Sequence, residues 1–476
     1  MLKVQCDELV LDGGLADVPT VRHALNDHVI SRLIFLITHI ISVARDVRRR
    51  CSTYLARYLE PQVVLFVAIS IIVLSLLNLL IACWTSQGGR TIYGSWLGGD
   101  YSAYYVAGTI LNEYSPGQLY DFNLQSKLLH SLLPGIPGAA ELPFLNPPFF
   151  ALLFKPLSLL PFIPSYLSWI LISSVLYVYG FLLIRKTLPA IPTHIYTLSL
   201  LLAISFEPFI MESAFGGNTS AFGFFALALA IYFERTGNRT LSGISLALCL
   251  YKPTLLLLII PMIIVSRRFR TAGGFIIGAV LLAGISFLTI GKQSCIDYLN
   301  ILFGVSGKSL STEVVFRNFK YVDIFSFYRP LFGNFTLLYW GSIMITIISS
   351  IPLLVQRWWK LDKLDKNRRD LILACTLTWT TVFNVHLGIY DTVIVVLGIL
   401  LTAHSLYQSS GKHGTVQSPG FRTLVVLLYI TPWISQQMTM FIKTQIYTLV
   451  LAATGAYQLY LTRCNNSQIE CNRTDT

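Results

Sequence analysis

The residues best suited to chemistry are a few polar side chains set among long apolar runs. Asp100 follows Gly98 and Gly99, and a carboxylate at this position can take a proton from a sugar hydroxyl as a general base. Tyr104, one helical turn later, can stack on a sugar ring or donate a hydrogen bond. The alternative is a solvated loop aspartate beside aromatic residues that belong at a membrane surface.

A lysine between two apolar runs is the second candidate. Lys252 stands directly before Pro253, and its charge is costly in lipid unless a partner or the membrane surface stabilises it. A phosphate is a suitable partner. The alternative is a lysine that only extends its charged end to the membrane surface. Arg317 and Lys320, in a loop rich in basic residues, compete with Lys252 as phosphate ligands.

A histidine and an aspartate, His386 and Asp391, also lie between two apolar runs, with Tyr390 beside the aspartate. Five residues apart on a helix, the two side chains would point about 140° away from each other. They converge only if Gly388 breaks the helix. Either a structural pair or a contribution to a site explains two ionisable residues in such surroundings.

Two asparagines stand at the start of predicted membrane helices. Asn146 precedes two prolines, which are typical of a helix entry, and Asn218 follows Gly216-Gly217 as a suitable N-cap. Each asparagine therefore either starts a helix or contacts a ligand. The sequence carries no signature of a nucleotide-binding loop, a zinc peptidase or a serine hydrolase.

The composition indicates the solvent in which these residues must be positioned. Only 12% of the 476 residues are charged and 54% are hydrophobic, whereas a soluble domain carries about 25% charged residues. We therefore predict an all-α, polytopic integral membrane helical bundle of about 10–13 transmembrane helices. The net charge of +12 indicates basic cytosolic loops and contact with membrane lipids. No basic stripe marks a soluble domain, which argues against a nucleic-acid partner.

Three segments are predicted along the chain. Residues 1–62 form a cytosolic or interfacial N-terminal segment, rich in arginine before the first clear span. Residues 63–407 form the membrane module with an outer loop at 85–146, and residues 408–476 form C-terminal helices and a tail. The early arginines place the N-terminus in the cytosol. A helix break is expected at Lys252, because proline disfavours helix at the preceding residue.

Taken together, the stretch from Asp100 to Asp391 resembles glycosyltransferase family 87, which contains polyprenol-phosphate-mannose-dependent mannosyltransferases. The resemblance rests on Asp100 with Tyr104, Leu119-Tyr120-Asp121, Leu142 to Phe150, Pro156-Leu157 to Pro161, Gly216 to Asn218, Tyr251-Lys252-Pro253, and His386 with Tyr390-Asp391. The chain has Gly216-Gly217-Asn218 where the family usually shows a Gly-Gln-Asn-like sequence.

The resemblance implies a GT-C-like fold and a hexosyltransferase of the plasma membrane whose active site faces away from the cytosol. Such an enzyme transfers a hexose, here mannose, from a polyprenyl-phosphate sugar to a lipid or glycan acceptor, with inversion and without a cofactor or metal. Asp100 would be the catalytic base, and Lys252 and His386 would bind the donor phosphate. The substrate-binding residues would be Tyr104, Asn146, Asn218, Tyr390 and Asp391.

Two other classes of protein fit parts of the sequence. Broken helices and intramembrane charges also suit a transporter or flippase of lipid-linked sugars. An inverted repeat would favour that alternative, and none is visible. A noncatalytic scaffold of the cell envelope is a third possibility.

Overall fold

The computed structural model describes residues 60–86, 90–92, 97–134, 142–304, 320–333, 335–385, 387–409, 418–442 and 444–463. Almost all of the predicted segment 1–62 therefore lies outside the described residues. The regular secondary structure of the described residues is helical, with isolated β-bridge residues such as Tyr321 and Gly388 and no strand. The predicted all-α fold is confirmed.

The helices fall into an N-terminal, a central and a C-terminal group. The first group is α1 (Pro61–Thr85), α2 (Tyr101–Glu113), α3 (Phe122–Leu132), α4 (Phe162–Arg185) and α5 (Thr193–Ile204). The central group is α6 (Ser220–Arg235), α7 (Arg239–Ala247), α8 (Ile259–Val265), α9 (Phe269–Thr289) and α10 (Lys292–Leu302). The last group is α11 (Ile324–Phe332), α12 (Thr336–Trp359), α13 (Lys366–Val382), α14 (Val395–Ser409), α15 (Pro419–Ile442) and α16 (Tyr447–Leu461).

Several helices are suited to a bilayer. Within the described ranges, five are long and apolar enough to cross a membrane: α1, α4, α9, α12 and the stretch Ile389–Ser409 that ends in α14. A sixth span results if α5 and the π-helical turn Pro208–Phe215, bent by 50°, are taken together. The prediction of a polytopic membrane protein is thus confirmed. Helix length and apolar character therefore identify fewer spans than the predicted 10–13, because helices such as α7 and α8 are too short to cross a membrane.

The apolar helices differ in what surrounds them. Only 17% of the most apolar window of α1 is buried, against 78% for the stretch Ile389–Ser409. The exposed side chains of α1 include Phe66, Leu80 and Trp84, which are apolar and cannot face water at low cost. Hence α1 faces lipid, whereas α14 lies at the centre of the bundle.

The helix break expected at Lys252 is present, and a second break lies at Gly388, where the sequence left the question open. Lys252 has a non-helical backbone (φ −143°, ψ 83°) between two short 3₁₀ turns, Leu248–Tyr251 and Pro253–Leu256. Helix α13 ends at Val382, and Gly388 is extended (φ −66°, ψ 149°) before the 3₁₀ turn Ile389–Ile394. Broken helices in lipid are tolerated where they line the protein interior, which is where both breaks lie.

A buried ion pair joins three helices near the first turn of α13, at the end opposite Val382. Asp370 binds the guanidinium of Arg235 through one oxygen and the Nδ1 atom of His404 through the other, at 3.1 Å. Asn384, just beyond the last turn of α13, donates instead to the carbonyl of Thr254 near the Lys252 break, at 2.8 Å. The Asp370 pair therefore links α6, α13 and α14 far from that break.

We expect Asp370→Asn to destabilise the bundle. The change leaves the guanidinium of Arg235 buried without its counter-charge, and such a loss costs about 3–5 kcal/mol of unfolding free energy. The thermal unfolding midpoint of the purified protein in detergent should fall accordingly. The control is Asp362→Asn, because the Asp362 side chain is 43% exposed and lies 3.4 Å from Arg239 and Arg268. Equal falls of the unfolding midpoint in the two variants would show that the Asp370–Arg235 pair contributes no more stability than the exposed Asp362.

Candidate functional site

Two glycine pairs from distant parts of the chain bring Asp100 against the start of α6. The Asp100 backbone N–H donates to the carbonyl of Gly216 at 3.0 Å. Gly99 (φ +45°) and Gly217 (φ +71°) both have left-handed backbones, which favour glycine. A Cβ atom on Gly217 would lie 2.5 Å from the carbonyl oxygen of Gly98. A glutamine at position 217 would therefore be incompatible with this packing.

From Asp100, a chain of polar contacts runs across the ends of several elements. Asn218 Nδ2 donates to Asp100 Oδ2 at 2.6 Å. The Ser220 hydroxyl lies 3.3 Å from Asn218 Oδ1 and 3.1 Å from Asp391 Oδ1. The second oxygen of Asp391 binds the ammonium of Lys252. We call these five residues the polar chain. It connects a carboxylate with an ammonium group.

The interpretation of Asn218 as an N-cap is wrong, because its side chain contacts Asp100 and Thr219 holds the cap position. The N-cap position of α6 is Thr219, without a side-chain cap, and the Thr219 N–H donates to Asn218 Oδ1 at 2.7 Å. Because Asn218 Oδ1 accepts this hydrogen bond, its Nδ2 is directed at Asp100. The side chain is buried, so the amide orients the Asp100 carboxylate from within the protein.

The ammonium of Lys252 is held on two sides. Asp391, which is only 1% exposed, binds it directly, and the Tyr390 ring lies 4.7 Å away in a cation–π contact. The Lys252 side chain is itself 24% exposed. Asn146 Nδ2 donates to the carbonyl of Tyr251 at 2.9 Å, which ties the loop before Pro147 to the residue preceding Lys252.

Tyr104 lies one turn into α2 beside Asp100. Its ring stacks on Phe154, with centroids 4.9 Å apart, and its hydroxyl is within electrostatic range of Asp100, Tyr390 and Lys252. The side chain is almost fully buried. Tyr104 therefore forms one wall of the region between Asp100 and Lys252.

The electrostatic environment of Asp100 combines burial with two cations. Burial raises the pKa of the Asp100 carboxyl above its ordinary value, and nearby Glu212 raises it further. Lys320, the hydrogen bond from Asn218, and Lys252 oppose that shift. Lys320 binds Glu212 Oε2 at 3.0 Å. This lysine was considered only as a phosphate ligand on sequence grounds, and its contact with Glu212 was missed.

The structure brings together most of the predicted site residues. Asp100, Tyr104, Asn218, Lys252, Tyr390 and Asp391 are neighbours, and Asn146 contacts the residue before Lys252. His386 and Arg317 lie outside the described residues. Within the described part of the chain, no three His, Cys, Asp or Glu side chains are grouped so as to hold a metal.

Two carboxylates at the site were missed, Glu207 and Glu212. Both stand in a largely apolar stretch, and an acidic residue in such a stretch is a signal of function. The sequence analysis named neither glutamate as a candidate and so did not connect them with Asp100. They lie at the bend between α5 and α6.

The comparison with protein families gives one match. The model of glycosyltransferase family 87 matches residues 144–387. The matched range contains Asn146, Asn218 and Lys252, begins after Asp100 and ends before Asp391. No curated protein and no solved structure matches the chain.

We expect Gly217→Ala to separate the two glycine loops. The added methyl group meets both the Gly98 carbonyl and the Tyr101 Cβ atom at 2.5 Å, and the backbone is also left-handed. Gly237→Ala is the matched control, because Gly237 has φ +90° but nothing within 4 Å of the added atom. The unfolding midpoint should fall further for Gly217→Ala. Equal falls would show that backbone strain alone is responsible.

Proposed function

The chain belongs to glycosyltransferase family 87 and is a membrane glycosyltransferase, and on that premise we propose its donor, acceptor and catalytic residues. The donor is a polyprenyl-phosphate hexose, with mannose as the sugar. The acceptor is a lipid or glycan hydroxyl on the non-cytosolic face of the plasma membrane. The anomeric configuration is inverted.

The observation that supports this proposal is the polar chain. Asp100, at one end, is a half-buried carboxylate oriented by Asn218. Lys252, at the other end, is a partly exposed ammonium fixed by Asp391 and Tyr390. A base and a cation held by one network are the two groups that sugar transfer from a lipid phosphate requires.

In the proposed reaction, the acceptor hydroxyl attacks the anomeric carbon of the donor. The new bond joins the acceptor oxygen to this carbon, the bond to the phosphate oxygen breaks, and the hydroxyl proton passes to Asp100. One displacement of this kind inverts the anomeric centre. Asn218 keeps the Asp100 carboxylate in one orientation, so the base is positioned before the acceptor binds.

The leaving group explains the need for Lys252. A sugar phosphodiester carries one negative charge, and the polyprenyl phosphate that leaves gains a further negative charge as the bond breaks. The ammonium of Lys252 can stabilise that charge while Asp391 holds it in place. We propose His386 as a second donor to the phosphate, because it precedes the extended residue Gly388 and the Tyr390-Asp391 pair.

The remaining predicted residues have supporting roles in the proposal. We assign sugar contacts to Tyr104 and Tyr390, and the support is that Tyr104 lies near Asp100 and Tyr390 beside Lys252. Asn146 fixes the backbone beside Lys252. The outer-face orientation is supported by the basic residues 356–370 at the far end of α12 and α13, since such clusters favour the cytosolic side.

We expect Asp100→Asn to abolish most sugar transfer, because the amide cannot accept the hydroxyl proton. General-base catalysis contributes about 10²–10⁴-fold, so the rate should fall by that order. The measurement is transfer from polyprenyl-phosphate-mannose by the purified protein. Asp121→Asn is the control, since Asp121 caps α3 and asparagine caps equally well. Full activity in Asp100→Asn would refute the assignment of the base.

The same assay separates the enzyme from the transporter alternative. Purified protein in proteoliposomes is supplied with the donor and with candidate acceptors. A new glycosidic bond supports the glycosyltransferase. Movement of the donor between leaflets without any new bond would favour the transporter or flippase.

We expect Lys320→Met to move the acidic limb of the pH–rate profile to higher pH. Lys320 lowers the pKa of Asp100, so its removal raises that pKa and protonates the base at a higher pH. The loss of its contact with Glu212 acts in the same direction. Lys292→Met is the control, because Lys292 is exposed at the start of α10. An unchanged limb would show that Lys320 does not influence the base.

A further inference from the structure

The arginine that follows α8 has an unusual backbone. Helix α8 ends at Val265, and Arg267 has φ +55°, the only positive φ of a non-glycine residue in the part of the chain that the structure describes. Its N–H donates to the carbonyl of Ile264 at 3.0 Å. The N–H of Arg268 donates to the carbonyl of Ile263, also at 3.0 Å. These two hydrogen bonds define a helix end at which glycine is the usual residue, so the backbone does not account for an arginine.

The guanidinium of Arg267 lies on a tryptophan. Its central carbon is 4.9 Å from the ring centre of Trp359, in a cation–π contact. Trp359 is the last residue of α12, and Arg267 stands two residues before the start of α9. Both helices are long and apolar enough to cross a membrane. The contact joins an end of one span to an end of the other, so it lies at the level where both leave the bilayer. Tryptophan and arginine are typical of that level.

The surroundings of this contact are exposed and basic. Trp359, Arg267 and Phe269, the first residue of α9, are all exposed. Two further exposed cations are Arg270, in the first turn of α9, and Lys360, directly after Trp359. A cation–π contact uses the face of the guanidinium and leaves its N–H donors for another group. We call Arg267, Arg270, Trp359 and Lys360 the basic patch.

The neighbouring carboxylates already have partners. The buried side chain of Arg268 binds Glu234 and lies 3.4 Å from Asp362. Arg239 lies 3.7 Å from Glu234 and 3.4 Å from Asp362. None of the ion pairs between described residues includes a member of the basic patch. The positive charge of the patch is therefore available to an anion that is not one of these side chains.

The level of the patch and its apolar neighbours identify the kind of anion. A phospholipid carries its phosphate at the surface of the bilayer and its acyl chains below it. Ile264, in the last turn of α8, and Phe269 are exposed apolar side chains beside Arg267, and lipid chains can cover them. A guanidinium donates two parallel hydrogen bonds to a phosphate. Three cations favour a headgroup with a net negative charge over one that also carries an ammonium group.

The basic patch lies away from the proposed active site. Arg268, next to Arg267, contacts Asp362, which precedes α13. Beyond the other end of α13, Asn384 contacts Thr254, close to the Lys252 break. Helix α13 has 17 residues and is thus about 25 Å long. The patch and Lys252 therefore lie towards opposite ends of α13, and the inference below does not depend on the proposed sugar transfer.

We propose that the basic patch binds the headgroup of an anionic phospholipid. Arg267 donates to the phosphate oxygens while its face stays on the Trp359 ring. Arg270 and Lys360 add positive charge, and the acyl chains pass along the apolar neighbours of the patch. This contact accounts for an arginine at a backbone position that favours glycine.

The first test is native mass spectrometry of the purified full chain in detergent, titrated with phosphatidylglycerol. Loss of a hydrogen bond to a charged group should raise the lipid dissociation constant of Arg267→Gly about tenfold. Glycine suits φ +55°, so the unfolding midpoint without lipid should not fall. Arg267→Asn is the second variant, because asparagine also adopts this backbone. It should weaken lipid binding by a similar factor.

The control for this test is Lys186→Gly, which removes an exposed cation just beyond α4, at the end of another span. It lowers the net charge as Arg267→Gly does, but it leaves the basic patch intact. The lipid dissociation constant should therefore stay at the wild-type value. An unchanged constant in both Arg267 variants, or an equal rise in Arg267→Gly and Lys186→Gly, overturns the inference.

The second test asks which part of the lipid is recognised. Phosphatidylcholine has the same phosphate but no net charge, so the wild-type protein should bind phosphatidylglycerol more tightly. Added salt should reduce that preference, since it screens exposed charges. Equal binding of the two lipids overturns the inference, because it indicates an unselective lipid coat. Displacement of phosphatidylglycerol by millimolar inorganic phosphate also overturns it, because the site would then bind a soluble anion.

Discussion

A carboxylate buried in a protein surrounded by lipid persists only if donors and cations surround it, and Asp391 is the position where this constraint is strongest. It is almost completely enclosed, and it binds both Ser220 and the ammonium of Lys252. Removing Lys252 would leave a buried charge without its counter-charge, and removing Ser220 would leave the other Asp391 oxygen without its donor. The position of the Lys252 ammonium depends on this one side chain, and Asp391 shares the Ser220 hydroxyl with Asn218, the residue that orients Asp100.

The sequence was sufficient to find the members of the site but not their partners. Charge is so scarce that Asp100, Lys252 and Asp391 stood out, and proline and glycine marked the two helix breaks. Asp391 was considered as a partner of His386, five positions earlier. The structure instead pairs it with Lys252, which is 139 residues away along the chain. A contact between residues so far apart in the sequence arises from the packing of whole helices, which local sequence patterns do not specify.

The residues that were missed illustrate the same limit. Glu207 and Glu212 stand in an apolar stretch that resembles an ordinary span. Nothing in the local sequence indicates that a π-helical turn brings Glu212 near Asp100 or that Gln436 links the two glutamates. Likewise, Gly99 and Gly217 are each typical turn residues. Their mutual approach becomes evident only when α2 and α6 are placed side by side. The helical membrane fold was predictable from composition and the break at Lys252 from its proline, whereas the π-helical bend and the approach of the two glycine loops were not.

The central claim is that the donor lies between Asp100 and Lys252. The most direct measurement is a cryo-electron microscopy structure with a non-transferable polyprenyl-phosphate-sugar analogue bound. Our account predicts that the phosphate contacts the Lys252 ammonium and that the anomeric carbon faces the Asp100 carboxylate, with Asp391 still bound to Lys252. A phosphate located away from Lys252, or an anomeric carbon out of reach of Asp100, would contradict it.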